Sequence, residues 1–331
     1  MRDESLPADY RAWVWRGSAA PLDLKLERLA RPPLEAGQAL VRNATIGLNP
    51  VDWKVLGGAL VNWRPGHVPG VDGAGVVVAV GAGVAQRWLG QRVAYHTSLQ
   101  RPGSFAEYTP VAARALMRLP DALDFEVAAS FPCPALTAWL AIEKLPAQPG
   151  RPILIGGAGG AVGHYLVQLA SARGFAVTTM SHPRHWERLR TLGAQDCIAG
   201  PLATGQRWVP DNGRFFAVID SVNEDHAERL APALLANGHL VCIQGRVPHW
   251  PCEPFGRALS LHEVALGALH AFGDDAAWAC LTAAGERMLG ELAERRLQPE
   301  TRLARDFDEL AQLLEELRHR RFSGKPLVRV R

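Results

Sequence analysis

The sequence predicts an α/β protein in which a doubly wound parallel sheet follows an all-β front third. Three observations carry this. The apolar run Ile153-Leu154-Ile155 breaks into Gly156-Gly157-Ala158-Gly159-Gly160-Ala161-Val162-Gly163 and then into an amphipathic segment at 164–172. From there, strand-patterned and helix-patterned stretches alternate at the spacing of βαβ units. Ahead of it, short β-branched runs are punctuated by Gly57-Gly58, Pro65-Gly66, Pro69-Gly70 and Gly81-Ala82-Gly83, the composition of a barrel.

Taken in order, residues 39–44 and 76–80 read as strands, and 92–94 as a strand ending just before Tyr95. Residues 123–130 and 135–144 read as helices. The alternation then runs strand 153–155, helix 164–172, strand 176–180, helix 185–192, strand 216–219, helix 227–235 and strand 240–243. A further strand at 264–269, helices at 275–296 and 306–318, and a terminal strand at 326–330 complete the chain. The change of pattern near Pro120 marks a boundary near residue 121.

At 331 residues the chain is long enough for two cores. Its net charge of +3 is scattered, with no basic block for nucleic acid, so a small molecule is the expected partner. Cys133, Cys197, Cys242, Cys252 and Cys280 form no C-x-x-C pair, which fits a reducing, cytoplasmic setting. Met1-Arg2-Asp3-Glu4-Ser5 leads into no apolar run, so no secretory signal is expected. Residues 153–172 lack Asp, Glu, Lys and Arg over a membrane-spanning length. Their glycines and globular flanks nevertheless predict a buried strand-turn-helix, and no membrane segment is expected.

Gly157, Gly160 and Gly163 recur every three residues. This spacing permits a tight turn, close approach of backbone N–H groups to a pyrophosphate, and close helix packing. The same stretch would also suit an ordinary buried strand and turn, but the strand before it and the helix after it favour a dinucleotide. NAD-specific folds carry an acidic residue about twenty residues further on to hold the ribose hydroxyls. Here the chain reads Met180-Ser181-His182-Pro183-Arg184, with no carboxylate. Ser181 can donate to a 2′-phosphate and Arg184 can offer it a charged fork, so NADPH is the expected cofactor. The alternative for Arg184 is a solvated charge opening the next helix. The apolar strand expected at 264–269 would form the edge of the sheet, and an unpaired edge predicts a homodimer through the dinucleotide-binding domains.

Nearly end to end, the chain resembles the medium-chain dehydrogenase/reductase superfamily, and within it the zinc-independent quinone oxidoreductase-like branch. The resemblance is carried by Gly47-Leu48-Asn49-Pro50-Val51-Asp52-Trp53-Lys54, Pro69-Gly70-Val71-Asp72-Gly73-Ala74-Gly75, Gly103-Ser104-Phe105-Ala106-Glu107-Tyr108, Leu136-Thr137-Ala138, the glycine turn and Gly324-Lys325. It implies a GroES-like barrel at 1–121, completed by 273–331, together with a Rossmann dinucleotide-binding domain at 122–272. Zinc members of the superfamily place a Cys where this chain has Asn49, and Gly-His-Glu where it has Gly70-Val71-Asp72. An amide and a valine do not replace thiolate and imidazole, so no metal is expected. His67 lies three residues before that motif and reads as a loop histidine.

The resemblance implies an enzyme that passes hydride from NADPH to a quinone or an α,β-unsaturated carbonyl, whose oxygen gains negative charge. Lys54 is the first candidate to stabilise or protonate that oxygen, with Asn49 and Asp52 shaping the same wall and Tyr95 as a weaker acid. Each has a plain alternative: a solvated lysine, a turn residue, a packed tyrosine. Expected cofactor contacts are Thr137, Gly157, Gly159, Gly160, Ala161, Val162, Gly163, Ser181, Arg184, Ile243, Gly245 and Lys325. Competing readings are a non-catalytic NADPH-binding or sensing protein on the same fold, and a zinc alcohol dehydrogenase, which lacks its ligands here.

Overall fold

The structure is a computed structural model that describes residues 6–209 and 213–330. The expectation drawn from Met1 to Ser5 therefore lies outside the described residues. The chain divides into two units, Met1–Cys133 with Gly267–Arg331, and Pro134–Leu266. The first division falls later than residue 121 for a packing reason. Helix Phe125–Ser130, capped by Asp124, buries Ala128, Ala129 and Ser130 in the first unit. It lies so close to strand Gln38–Gly47 that a methyl on Gly47 would meet the Ala129 carbonyl.

The first unit holds a seven-stranded sheet. Its path runs Arg302–Asp306, Lys325–Arg329, Gln38–Gly47, Asp72–Val80, Arg92–His96 and Leu116–Arg118, and Tyr108–Ala112 also pairs with Gln38–Gly47. The C-terminal strand thus inserts beside Gln38–Gly47, with Leu327 opposite Gly47, and joins the sheet that the front third begins. All the pairings are antiparallel except that between Arg302–Asp306 and Lys325–Arg329. A separate hairpin, Asp9–Val14 with Lys25–Ala30, was not read from the sequence. Tyr10, Ala12 and Val14 of its first strand alternate into a core with Ile46, Phe105, Leu310 and Leu314. The indole N–H of Trp13 donates to the Phe307 carbonyl at 3.0 Å, tying this hairpin to the C-terminal segment.

The second unit is a six-stranded parallel sheet in the order Asp196–Ala199, Ala176–Ser181, Pro152–Gly156, Phe215–Asp220, Leu234–Cys242 and Ser260–Glu263. The chain starts in the middle, winds outward to one edge, then reverses to the other. The crevice of such a sheet opens beyond the carboxyl ends of Pro152–Gly156 and Phe215–Asp220. Ile153, Leu154, Ile155, Val218 and Ile219 are fully buried, as strands covered on both faces require. The stretch 153–172 resolves into strand Pro152–Gly156, a turn and helix Ala161–Ala172. No helix among the described residues is long and apolar enough to cross a membrane.

Several expected elements shift. The strand expected at 264–269 is instead Ser260–Glu263, paired in parallel with 239–242, while Ala268–Phe272 is a short helix. Val264 and Leu266 are buried without being strand, and apolar content alone misled there. The helix expected at 227–235 is Glu224–Leu230, because Asn223 caps it by accepting from His226 N at 2.8 Å. Pro232 then sits in a tight turn, and strand Leu234–Cys242 begins two residues later. Strand Asp196–Ala199 was missed, and Arg92–His96 extends past Ala94 to include Tyr95.

Backbones approach closely where Gly75 faces Asn43 beside a register shift in strand Gln38–Gly47. A methyl on Gly75 would run into the Arg42 carbonyl. Gly75→Ala is expected to lose about 1–3 kcal/mol of stability through overpacking. Urea denaturation measures it, and an unchanged midpoint would contradict this packing.

Candidate cofactor and catalytic sites

In the first unit, four polar side chains meet in the interior: Asn49, Asp52, Asp72 and Lys325, each at most 2% exposed. Asn49 precedes helix Pro50–Lys54, with Pro50 at the first helical position, where its missing N–H costs nothing. The Asp52 carboxylate reaches back to accept from Asn49 N at 2.7 Å, a reciprocal cap. Asn49 Nδ2 donates to Asp72 Oδ2 at 2.9 Å, and Cys133 N donates to the same oxygen at 2.9 Å. Lys325 Nζ donates to Asn49 Oδ1 and lies 3.8 Å from Asp72 Oδ2. Gly324 at φ +99° turns the chain into the terminal strand, and Lys325 N donates to Thr301 O at 2.7 Å. Helix cap, strand and C-terminal strand thereby converge on one ammonium.

Two carboxylates and one cation share this buried space, and burial favours the protonated form of a carboxyl. Burial pushes Asp52 up to about 8, against the pull of the Asn49 N–H and with a further push from Asp72. Burial also raises Asp72, to about 6, and Lys325, Asn49 and Cys133 offset part of that rise. Near pH 7, Asp72 is the ion facing Lys325 and Asp52 is neutral. Asp52 Oδ1 and Asp72 Oδ1 have no hydrogen-bond partner among the described residues, so neither group recovers its full hydration.

The ammonium in this cluster is Lys325, not the expected Lys54. Lys54 ends its short helix on an exposed position, with its ammonium 5.8 Å from the Trp53 ring centroid. Partial burial and the nearby Arg320 lower its pKa. Tyr95 is also corrected. It is fully buried, its hydroxyl donates to Asn43 Oδ1 at 2.7 Å, and burial drives its pKa upward, which describes a packed core tyrosine. Asn43 completes that interior network by donating to Ala106 O and Thr109 Oγ1. Lys325, expected at the cofactor, is engaged inside the barrel unit. His67 stacks on Trp63 with centroids 4.3 Å apart, and burial lowers it to about 4.

In the second unit, Gly157 at φ +71° turns the chain out of strand Pro152–Gly156. The turn is pinned to the next strand, because Gly157 N and Ala158 N both donate to Met180 O, at 3.1 and 3.3 Å. Gly163 packs so tightly that a methyl would strike the Ala158 backbone, whereas one on Gly160 meets nothing closer than 3.9 Å. Gly160 caps helix Ala161–Ala172, and the first helical bond runs from His164 N to Gly160 O. The amides of Ala161, Val162 and Gly163 precede that bond and remain available to an anion.

Arg184 is exposed, and its Nε donates to His185 Nε2 at 3.1 Å. Ser181 is buried at the end of its strand, and its hydroxyl turns to the His182 carbonyl at 3.4 Å. Sequence reasoning missed Arg188, which donates to Gly159 O at 2.8 Å and meets His164 Nδ1 at 2.9 Å. One helical turn beyond Arg184, it was the available signal. Ile243 N extends the sheet by donating to Asp220 O at 2.9 Å, and Gly245 at φ +98° lies beside Glu224. Thr137 is buried on helix Pro132–Glu143. Asp220 and His226, also missed, form a fully buried pair at 2.6 Å. His226 Nε2 accepts from Leu202 N, so the ring is neutral and its Nδ1–H points to Asp220.

Comparison with known proteins agrees with this geometry. Residues 35–121 match the alcohol dehydrogenase GroES-like domain. The chain is 34% identical over 254 residues to a 2-methylene-furan-3-one reductase of Solanum lycopersicum, covering 73% of this chain and 64% of that protein. It is 34% identical over 271 residues to the trans-enoyl reductase mycC of Thermothelomyces thermophilus, covering 72% and 71%. Among solved structures, the quinone oxidoreductase of Coxiella burnetii superposes with a TM-score of 0.79 at 23% identity, over 98% of this chain and all of that one. The chain thus spans a little under two thirds of the tomato relative's length.

The raised Asp52 pKa has a stability consequence. Between the unfolded value near 4 and about 8, folded Asp52 holds a proton that the unfolded chain lacks, so stability falls as pH rises through that window. Asp52→Asn keeps an acceptor for Asn49 N without the titration. Denaturation midpoints from pH 5 to 8 are expected to fall less in Asp52→Asn than in wild type. Parallel profiles would place the proton elsewhere.

Proposed function

We propose, on the premise that this chain belongs to the medium-chain dehydrogenase/reductase superfamily and its quinone oxidoreductase-like branch, that it is an NADPH-dependent, metal-free reductase of α,β-unsaturated carbonyls or quinones. The observation that carries the metal-free part is the buried Lys325 ammonium on Asn49. Asn49 and Val71 stand where zinc relatives place ligands. Asn49 already accepts from Lys325, Val71 is a fully buried aliphatic, and Asp72 Oδ2 takes N–H bonds from Asn49 and Cys133. Catalytic zinc takes three protein N, S or O donors, and this set does not fit it.

The dinucleotide part rests on the glycine turn. The open face at Gly160 and the first-turn amides would hold a pyrophosphate, and the Arg184, His185 and Arg188 cluster would face a 2′-phosphate. When bound, NADPH supplies the hydride. The chain's own part is to bind and orient. Lys325 fixes the Asn49 amide, Asn49 holds Asp72, and neutral Asp52 keeps the wall from carrying a second negative charge where an enolate or hydroquinone anion develops. The names of the tomato and fungal relatives, a 2-methylene-furan-3-one reductase and a trans-enoyl reductase, support this acceptor class.

We also propose a homodimer, now through the outer edge of Ser260–Glu263, which ends the six-stranded sheet. The five cysteines are free thiols, in keeping with a reducing, cytoplasmic compartment.

The test follows NADPH oxidation with an enone and with a benzoquinone, in the presence of EDTA. Turnover with at least one acceptor, unchanged by the chelator, is expected. Arg184→Ala is expected to weaken NADPH by about tenfold to a hundredfold, the loss of one charge-assisted hydrogen bond, with NADH little changed. Absence of turnover with both acceptors despite tight NADPH binding would turn the reading toward a nucleotide-binding protein. Activity abolished by EDTA and restored by zinc would overturn the metal-free assignment.

A further inference from the structure

His185 closes the short turn Pro183–His185 and leads into helix Trp186–Thr191. Its ring lies against the glycine turn, so close that a methyl on Gly159 would sit 2.5 Å from His185 Cδ2 and 2.9 Å from Nε2. In the structure Nε2 accepts from Arg184 Nε at 3.1 Å, which makes the ring neutral, with its proton on Nδ1. The charged and titratable groups facing it come from three elements. Arg184 and His182 share its own turn, where His182 Nδ1 accepts from Arg184 N at 3.2 Å. Arg188 comes from the following helix and clamps Gly159 O. His164 comes from helix Ala161–Ala172 and meets Arg188. Glu187, the acidic residue of helix Trp186–Thr191, is exposed. Burial, then Arg188, Arg184 and His182, hold the His185 imidazole below its ordinary value.

We propose that His185 is a specificity-determining residue of the dinucleotide site: with Arg184 and Arg188 it receives the 2′-phosphate of NADPH, and it takes up one proton from solvent as that phosphate binds. The proposal rests on the NADPH reading of the glycine turn. A neutral Nε2 presents a lone pair, which repels a phosphate oxygen, whereas a protonated ring donates to it. A phosphate monoester brings nearly two negative charges above pH 6. An opposite charge within about 4–6 Å raises an imidazole pKa by about 1–3 units, reversing the effect of the arginines. Arg184 then turns its Nε–H from His185 to the phosphate, and Nε2 carries the proton instead.

The sign follows from linkage. Between the depressed free-state pKa and the raised bound-state pKa, the complex holds one more proton than the free partners, so NADPH affinity falls as pH rises. The slope approaches tenfold per pH unit in mid-window. NADH lacks the phosphate and has no such slope. Below about pH 6 the phosphate takes up its own proton and the trend flattens.

Dissociation constants of NADPH and NADH are to be measured by calorimetry from pH 6.5 to 8.5, in buffers of different ionisation enthalpy, for wild type and His185→Gln. Wild type is expected to bind NADPH roughly fivefold to thirtyfold more weakly at pH 8.5 than at 6.5, with net proton uptake. NADH is expected to change less than about twofold over the same range. His185→Gln, which keeps a polar side chain at the turn, is expected to flatten the NADPH profile while retaining a preference for NADPH through Arg184 and Arg188. A wild-type preference for NADPH that is independent of pH, or a slope and proton uptake unchanged in His185→Gln, would overturn the role of His185 alone. Equal affinity for NADPH and NADH at every pH would overturn the NADPH reading and this proposal together.

Discussion

Much of the first unit's polar interior depends on one buried ammonium. Lys325 enters on the last strand, donates to Asn49 and lies 3.8 Å from Asp72, so helix cap, inner strand and C-terminal strand share one charge. Removing one partner of a buried charge pair strands the other, typically at about 3–5 kcal/mol. The terminal strand therefore does more than close the sheet. Its cation also ties Asn49 and Asp72 together. Burial, with a further push from Asp72, favours the neutral form of Asp52.

The second unit fixes its glycine turn from several sides. Gly157 turns the chain, Gly163 lets the helix approach, and Met180 O pins the turn to the neighbouring strand. Arg188 adds a side-chain clamp on Gly159 O, which stiffens the turn from outside. Preorganisation of this kind reduces the ordering cost of binding a charged ligand.

The fold class was legible in the sequence because its signals are local: the glycine turn, the strand-helix alternation, and the Gly and Pro punctuation of the front third. Boundaries were less so. Asn223 and Pro232 shifted helix Glu224–Leu230, and buried Val264 and Leu266 imitated an edge strand that lies four residues earlier. Asn49 and Asp52, candidates because they share one short motif, do meet in the buried cluster. Lys325, 276 residues from Asn49, was noticed but given another role, since only the pairing of Lys325–Arg329 with Gln38–Gly47 brings it home. Lys54 is sequence-adjacent to the motif, yet its short helix leaves it exposed. Tyr95 looked available at a strand end, but the strand runs two residues further, to His96, and buries it against Asn43. Arg188 and His185 escaped because their value lies in a through-space meeting with Gly159.

We propose that this chain moves hydride from NADPH to a conjugated acceptor with fixed polar groups and no metal. The most direct measurement follows the label itself: metal-stripped protein, NADPH carrying deuterium at C4 of the nicotinamide, an enone as acceptor, and NMR of the product. The account predicts deuterium at the β-carbon, from one face of the nicotinamide, and a solvent proton at the α-carbon. A product without label at the β-carbon, or label transfer that appears only after zinc is restored, would contradict it.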